Sequence, residues 1–236
     1  VIRQRILVAR GDAGRRIEFA TEIDWQSTEC ALKASFPLTV SNPLATYNWG
    51  MGTIQRGNNE PTKYEVPSHE WFDLTDVNGH YGVSILDDSK YGSDKPSNNE
   101  VRLTLLYTPG VRSGYLDQHS QDWGRHEILY ALYGHQGDWR DAGTEWHARR
   151  LNQPLHVWQV QPHTGPLGRS FSFLSLNDNT VDLRALKLAE NSDQIILRLQ
   201  ELQGRECGGL EVAVAAKVVA AQEIDANLVH RLHFLQ

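Results

Sequence analysis

The stretch Ile17-Glu18-Phe19-Ala20-Thr21-Glu22-Ile23-Asp24-Trp25 decides the fold. Ile17, Phe19, Thr21, Ile23 and Trp25 fall on one face; Glu18, Ala20, Glu22 and Asp24 fall on the other. A period of two is the alternation of a strand with one buried face. Outward from it, Leu32, Ala34, Phe36, Leu38 and Val40 repeat the pattern against Lys33, Ser35 and Thr39. Tyr81, Val83 and Ile85 predict a third strand. Val101, Leu103 and Leu105 predict a fourth, after a turn-rich stretch at 93–99, and 126–133 a fifth. One helix is expected near 139–151, where Trp139, Ala142, Gly143, Trp146 and Arg150 recur at helical spacing before Asn152 and Pro154. A Pro- and Gly-containing stretch at 161–168 reads as a linker. Strands resume at 171–176, 181–188, 194–200, 210–218 and 228–234. Strands without intervening helices cannot form parallel crossover units. The expected fold class is therefore all-β: an antiparallel β-sandwich over 1–162 and a smaller β-sandwich subdomain over 168–236.

Size and charge narrow the function. The chain has 236 residues, 40% hydrophobic and 22% charged, with a formal net charge of −6. That length buries a sizeable core. An acidic chain whose only basic pairs are Arg15-Arg16 and Arg149-Arg150 lacks the basic face of a nucleic-acid binder. The two cysteines, Cys30 and Cys207, have no neighbours at metal-ligand spacing and read as small apolar residues. Residues 1–10 hold three arginines and no apolar core, so they are not a signal peptide, and no apolar run spans a bilayer. The chain opens on Val in strand-like sequence, which suggests a piece of a longer polypeptide, truncated on the amino-terminal side of the first sandwich.

Phosphate loops, nucleophile elbows and His-Glu-x-x-His helices are absent from the sequence. One segment concentrates chemistry: Tyr81-Gly82-Val83-Ser84-Ile85-Leu86-Asp87-Asp88-Ser89-Lys90-Tyr91-Gly92. It reads either as a strand ending in a charged hairpin, with Gly92 at positive φ, or as a loop lining a polar cleft in which Asp88 or Lys90 binds sugar hydroxyls. Aromatic residues cluster outside the obvious strands, at Tyr47, Trp49, Tyr64, Trp71, Phe72, Tyr91, Tyr115 and Trp123. Rings can stack on sugars, but most of these are expected to be strand-end core residues.

Several segments resemble the carboxy-terminal half of glycoside hydrolase family 38 α-mannosidases. They are Thr21-Glu22-Ile23-Asp24-Trp25 with Leu32-Lys33-Ala34-Ser35-Phe36-Pro37-Leu38, Gly52-Thr53-Ile54-Gln55-Arg56, Glu65-Val66-Pro67-Ser68-His69-Glu70-Trp71, and the run from Tyr81 to Gly92. Arg102-Leu103-Thr104-Leu105-Leu106, His126-Glu127-Ile128-Leu129-Tyr130 and Ile196-Leu197-Arg198-Leu199-Gln200-Glu201 continue in the same order. The resemblance implies a sandwich of the galactose-mutarotase-like type. It implies that the nucleophile, the acid/base and a divalent metal, zinc in most of the family, lie in a preceding barrel and helical bundle, so no cofactor and no catalytic residue is expected in this chain. The expected partners are that remainder of the same polypeptide and carbohydrate, with self-association as a further option and neither nucleic acid nor membrane. The candidate substrate contacts are Asp87, Asp88, Lys90, Tyr91 and Tyr107. The last occupies the position where some family members place an arginine near the substrate.

Asp87 and Asp88 are adjacent, so on a strand they point to opposite faces. A retaining pair needs carboxyls roughly 5–5.5 Å apart across the glycosidic bond, so these two do not qualify. Two other readings stay open. One is an autonomous carbohydrate-binding module, which needs an exposed aromatic platform. The other is a mutarotase- or lyase-like enzyme, which needs a histidine among His69, His80, His119 and His126 to converge with Glu70 or Glu127.

Overall fold

The computed structural model describes residues 1–110 and 121–224. The strand expected at 228–234, together with Tyr115, His119, His230 and His233, lies outside them. The chain divides into two compact units, Val1–His156 and Val157–Gln236.

The first unit is built on a seven-stranded antiparallel sheet. Its strands are β1 (Ile2–Val8), β2 (Arg16–Trp25), β4 (Ala45–Asn48), β5 (Thr53–Arg56), β7 (Trp71–Thr75), β8 (Tyr81–Asp87) and β11 (Gly124–Gln136). Their spatial order is β1-β2-β11-β8-β7-β4-β5. A four-stranded sheet packs on it, made of β3 (Cys30–Pro37), β6 (Val66–Pro67), β9 (Gly92–Ser97) and β10 (Glu100–Thr108) in the order β3-β10-β9-β6. The helix α1 (Thr144–Asn152) lies against the other side of the large sheet. The unit is an antiparallel β-sandwich, as the alternation of β2 predicts.

The side-chain period sorts each central strand between two cores. Ile23, Phe72, Leu74, Ile85, Ile128 and Tyr130 face the four-stranded sheet. Trp71, Leu86, Ala131 and Tyr133 face the other way, against Trp139 and the α1 residues Ala148 and Leu151. The middle of the large sheet is thus buried on both faces. The four-residue stretch Trp71-Phe72-Asp73-Leu74 is accordingly buried throughout and shows no alternation to read.

Three expectations change. The helix starts at Thr144 rather than near 139, because Gly143 stands at φ 66° and the Asp138 carboxylate accepts the amides of Arg140 and Asp141, holding 138–143 as turns. The stretch 93–99 is not mainly turn: it contains β9, whose buried side chains Ser93, Asp94 and Lys95 are polar and make hydrogen bonds where an apolar strand would pack. Of the aromatic cluster, Tyr47, Trp71 and Phe72 are core residues on strands, but Trp49, Tyr64, Tyr91 and Trp123 are exposed.

Among its described residues the second unit contains two antiparallel ladders. β12 (Leu174–Leu176) pairs with β15 (Val212–Val214), and β13 (Val181–Leu188) pairs with β14 (Ile195–Glu201). Cys207 donates to the Asp178 carboxylate, and both cysteines are free thiols. No helix among the described residues is long and apolar enough to cross a membrane.

Candidate functional site at the crossover between the two sheets

β8 ends at Asp87 in the large sheet, and β9 begins at Gly92 in the small one. Residues 88–91 therefore cross from one layer of the sandwich to the other. They are not a hairpin turn. Gly92 has an extended backbone and no positive φ. Its requirement is steric: a Cβ there would collide with the Glu65 carboxylate.

The crossover sorts its candidates by depth. Asp87 is 1% exposed. Its Oδ1 accepts the Lys90 amide at 2.9 Å, and its Oδ2 has no hydrogen-bond partner. Burial pushes its carboxyl up to about 7, with the negative charges of Asp88 and Glu70 adding to the rise against the Lys90 amide. Its carbonyl accepts from the Asn152 side chain of α1, and its amide donates to the Glu70 carbonyl. Asp88 is exposed; its Oδ1 accepts from Ser89 Oγ and, at 3.4 Å, from the Leu129 amide. One carboxylate is thus buried and its neighbour solvated, with Asp88 just beyond the end of β8. Lys90 is half-buried, and Tyr91 is 62% exposed.

Tyr91 belongs to an aromatic row. Its ring meets His69 edge-on at 5.4 Å, and His69 meets Trp49 edge-on at 5.5 Å. Beyond Trp49 the Arg56 guanidinium lies 5.3 Å from the indole. Tyr107 lies on the outer side of β10, opposite Ala31 of β3, and is exposed. Among the described residues it shares no hydrogen bond or ring contact with the crossover. The structure thus brings Asp87, Asp88, Lys90 and Tyr91 together and leaves Tyr107 apart.

Glu70, absent from the candidate contacts, belongs with this site. It stands at φ 61° just before β7, couples electrostatically to Asp87, and buries an Oε2 without a hydrogen-bond partner. Its Oε1 is 4.0 Å from Arg149 of α1. A left-handed glutamate is a signal of local constraint, but no sequence pattern reports φ.

Among the described residues the candidate histidines do not converge with Glu70 or Glu127 in one pocket. His69 sits between two aromatic rings, His80 is exposed beside Asp76, and His126 faces the Asp122 carbonyl. A different histidine is buried. His135 Nε2 lies 2.8 Å from Asp73 Oδ2 and 3.2 Å from Ser84 Oγ, and Ser84 also contacts Asp73 and Thr144. This Ser-His-Asp set is not a nucleophilic triad. A triad needs the serine on one imidazole nitrogen and the carboxylate on the other. Here both fall on Nε2, and Ser84 is fully buried under α1. The set holds the helix to the sheet.

The architecture defines the class, a two-layer antiparallel β-sandwich with a helix on its outer face. The family follows from comparison. Residues 1–111 match the Glycosyl hydrolases family 38 C-terminal domain, and residues 180–227 match the Glycosyl hydrolases family 38 C-terminal beta sandwich domain. The chain belongs to the carboxy-terminal region of glycoside hydrolase family 38. Alpha-mannosidase 2C1 of Mus musculus is 34% identical over 197 residues, covering 80% of this chain and 18% of the relative. Alpha-mannosidase of Saccharomyces cerevisiae is 34% identical over 128 residues, covering 52% of this chain and 11% of the relative. The solved structure of an alpha-mannosidase from Enterococcus faecalis superposes with a TM-score of 0.71 at 16% identity, over 86% of this chain and 23% of that one. The chain spans less than a fifth of the length of the mouse relative it matches.

Proposed function

We propose that this chain is the accessory carboxy-terminal β-portion of a retaining α-mannosidase. In this reading the nucleophile, the acid/base and the divalent metal stand in another part of the polypeptide. The described residues hold no group of three histidine, cysteine, aspartate or glutamate side chains that fits a metal.

The observation that carries the reading is the uncovered face of β1. Ile2, Ile6 and Val8 pair with Ile23, Phe19 and Ile17 of β2, so they share the core-facing side of the large sheet. They are nevertheless 54%, 64% and 68% exposed. β1 is an edge strand, and β3 is the edge of the smaller sheet opposite. An apolar strand with an open edge is a surface that native folds cover. The remainder of the polypeptide is the proposed cover.

The crossover is the proposed contribution to the sugar cleft. Exposed Asp88 can accept from sugar hydroxyls and half-buried Lys90 can donate to them, above the buried Asp87 carboxyl. The row Trp49, His69, Tyr91 supplies rings beside them.

The test is hydrolysis of nitrophenyl α-mannoside by this chain and by the longer polypeptide that contains it. The longer polypeptide is expected to turn over and this chain alone is not. Robust turnover by the 236-residue chain would sink the proposal. The substitution Ile6→Asp should leave this chain's stability within about 0.5 kcal/mol, as for an exposed site, and destabilise the longer polypeptide by several times that.

The same aromatic row favours a second reading, an autonomous carbohydrate-binding module. Calorimetry of the chain with mannose separates the two. Binding at the millimolar scale or tighter, about −4 kcal/mol, that is lost in Trp49→Ala and Tyr91→Ala supports the module.

A further inference from the structure

An open cleft of 670 Å³ lies between β5, the loop 57–65 and β9, and none of the crossover residues 87–91 lines it. Two of its lining side chains, Tyr47 and Lys95, are each only 1% exposed. The Tyr47 ring stacks on Phe72 at 5.7 Å, and the Arg56 guanidinium lies 5.2 Å from its centroid. Its hydroxyl is buried with no hydrogen-bond partner. Buried hydroxyls are rarely left that way without a water, an ion or a ligand to satisfy them.

Lys95 lacks its counterpart too. Its ammonium donates to Asn58 Oδ1 and to the Ser97 carbonyl, two of three available donors. No carboxylate among the described residues pairs with it. The adjacent Asp94 is committed to Lys33, Arg102 and Asn59. Desolvation lowers Lys95 to about 8.

The cleft thus holds more cations than carboxylates. Arg56 and Lys63 line it as further cations. Of its two carboxylates, Glu65 is bound to Lys33 and Thr104, which leaves Glu60 against three cations. This local excess stands out in a chain of net charge −6.

We propose that this cleft is a binding site for an oxyanion, a phosphate or carboxylate group carried on a small polar molecule, received by the Tyr47 hydroxyl, the Lys95 ammonium and the Arg56 guanidinium. The Tyr47 hydroxyl has no acceptor, and Lys95, bound to Asn58 and Ser97, and Arg56, whose Nη1 donates to the Pro67 carbonyl, each keep a further donor, so the three call for a ligand that is all acceptor. The volume falls in the range of small-molecule sites and exceeds what a bare anion fills. A carrier of hexose size fits. The site borders the aromatic row through Arg56 and Trp49 but uses none of the residues 87–91, and its test needs no hydrolysis, so its failure is separable from that of the mannosidase reading.

The experiment is titration calorimetry of the 236-residue chain at low salt with a hexose 6-phosphate, with glucuronate and with the neutral hexose. At least one of the two anions should bind with a millimolar or tighter Kd, and the neutral sugar at least tenfold more weakly. The tighter anion identifies the group. Tyr47→Phe should weaken that anion three- to tenfold without lowering the melting temperature, since it deletes only an unpartnered hydroxyl. Arg56→Gln should weaken it about tenfold. The proposal is overturned if neither anion saturates the chain, if the neutral sugar binds equally well, or if both variants bind like the parent; the last result is what a cleft satisfied by water alone would give.

Discussion

Asp87 ties burial to pH most directly. Its carboxyl stands near 7 in the folded chain against an ordinary value of 3.8. A raised folded value means that the native state holds the proton more tightly than the unfolded chain does. Stability then falls as pH rises from about 4 to about 7 and is level above that. Asp87→Asn keeps the shape without the charge. The variant should be more stable than the parent at pH 8, by at most about 4 kcal/mol, and the advantage should vanish near pH 4. Melting temperatures of both proteins across pH 4–8 check this; parallel curves would refute it. The residue scale is also where the sequence is least informative. Asp87 and Asp88 are one chemical type in adjacent positions, yet one is sealed and the other is solvated. Only the pleat, the layer above and α1 beside them make that difference.

At the scale of elements, legibility follows the pattern of burial. β2, β3, β10 and β11 are readable because alternation survives wherever one face differs from the other, and β8 because Gly82 and Ser84 alternate with Tyr81, Val83 and Ile85 although both faces are buried. β7 escapes that reading because it is buried on both faces, and β9 because its buried side chains are polar and hydrogen-bonded. β6 has two residues and offers no period at all. The helix is legible in kind, although its start depends on Gly143. Its docking rests partly on one polar contact: Trp71 Nε1 donates to the Glu145 carboxylate, which Asn48 approaches at 3.5 Å. Trp71→Phe removes that charge-assisted bond and leaves a gap beside Trp139. The loss should be about 2–4 kcal/mol. Urea unfolding should show it as a lower midpoint at unchanged slope; an unchanged midpoint would mean that the contact contributes nothing.

At the scale of the whole molecule, the chain is two units joined through an exposed stretch. Residues 153–170 are exposed throughout and carry neither strand nor helix. Exposed backbone outside strands and helices is where proteases cut first. Limited trypsin or chymotrypsin digestion should cleave within this stretch and release a resistant fragment close to Val1–His156, identified by mass. First cuts inside β8 or β11 would contradict the division.

Alternation along β2, β3, β8, β10 and β11 determined the all-β antiparallel class by itself, because side-chain period is a local property of the chain. The order of matching segments determined the family in the same way. The tertiary structure decided which polar groups lose water. Asp87, Tyr47, Lys95 and the Asp73–Ser84–His135 set owe their character to strands and a helix far away in sequence. Desolvation depends on what packs above a side chain, and no local pattern records it.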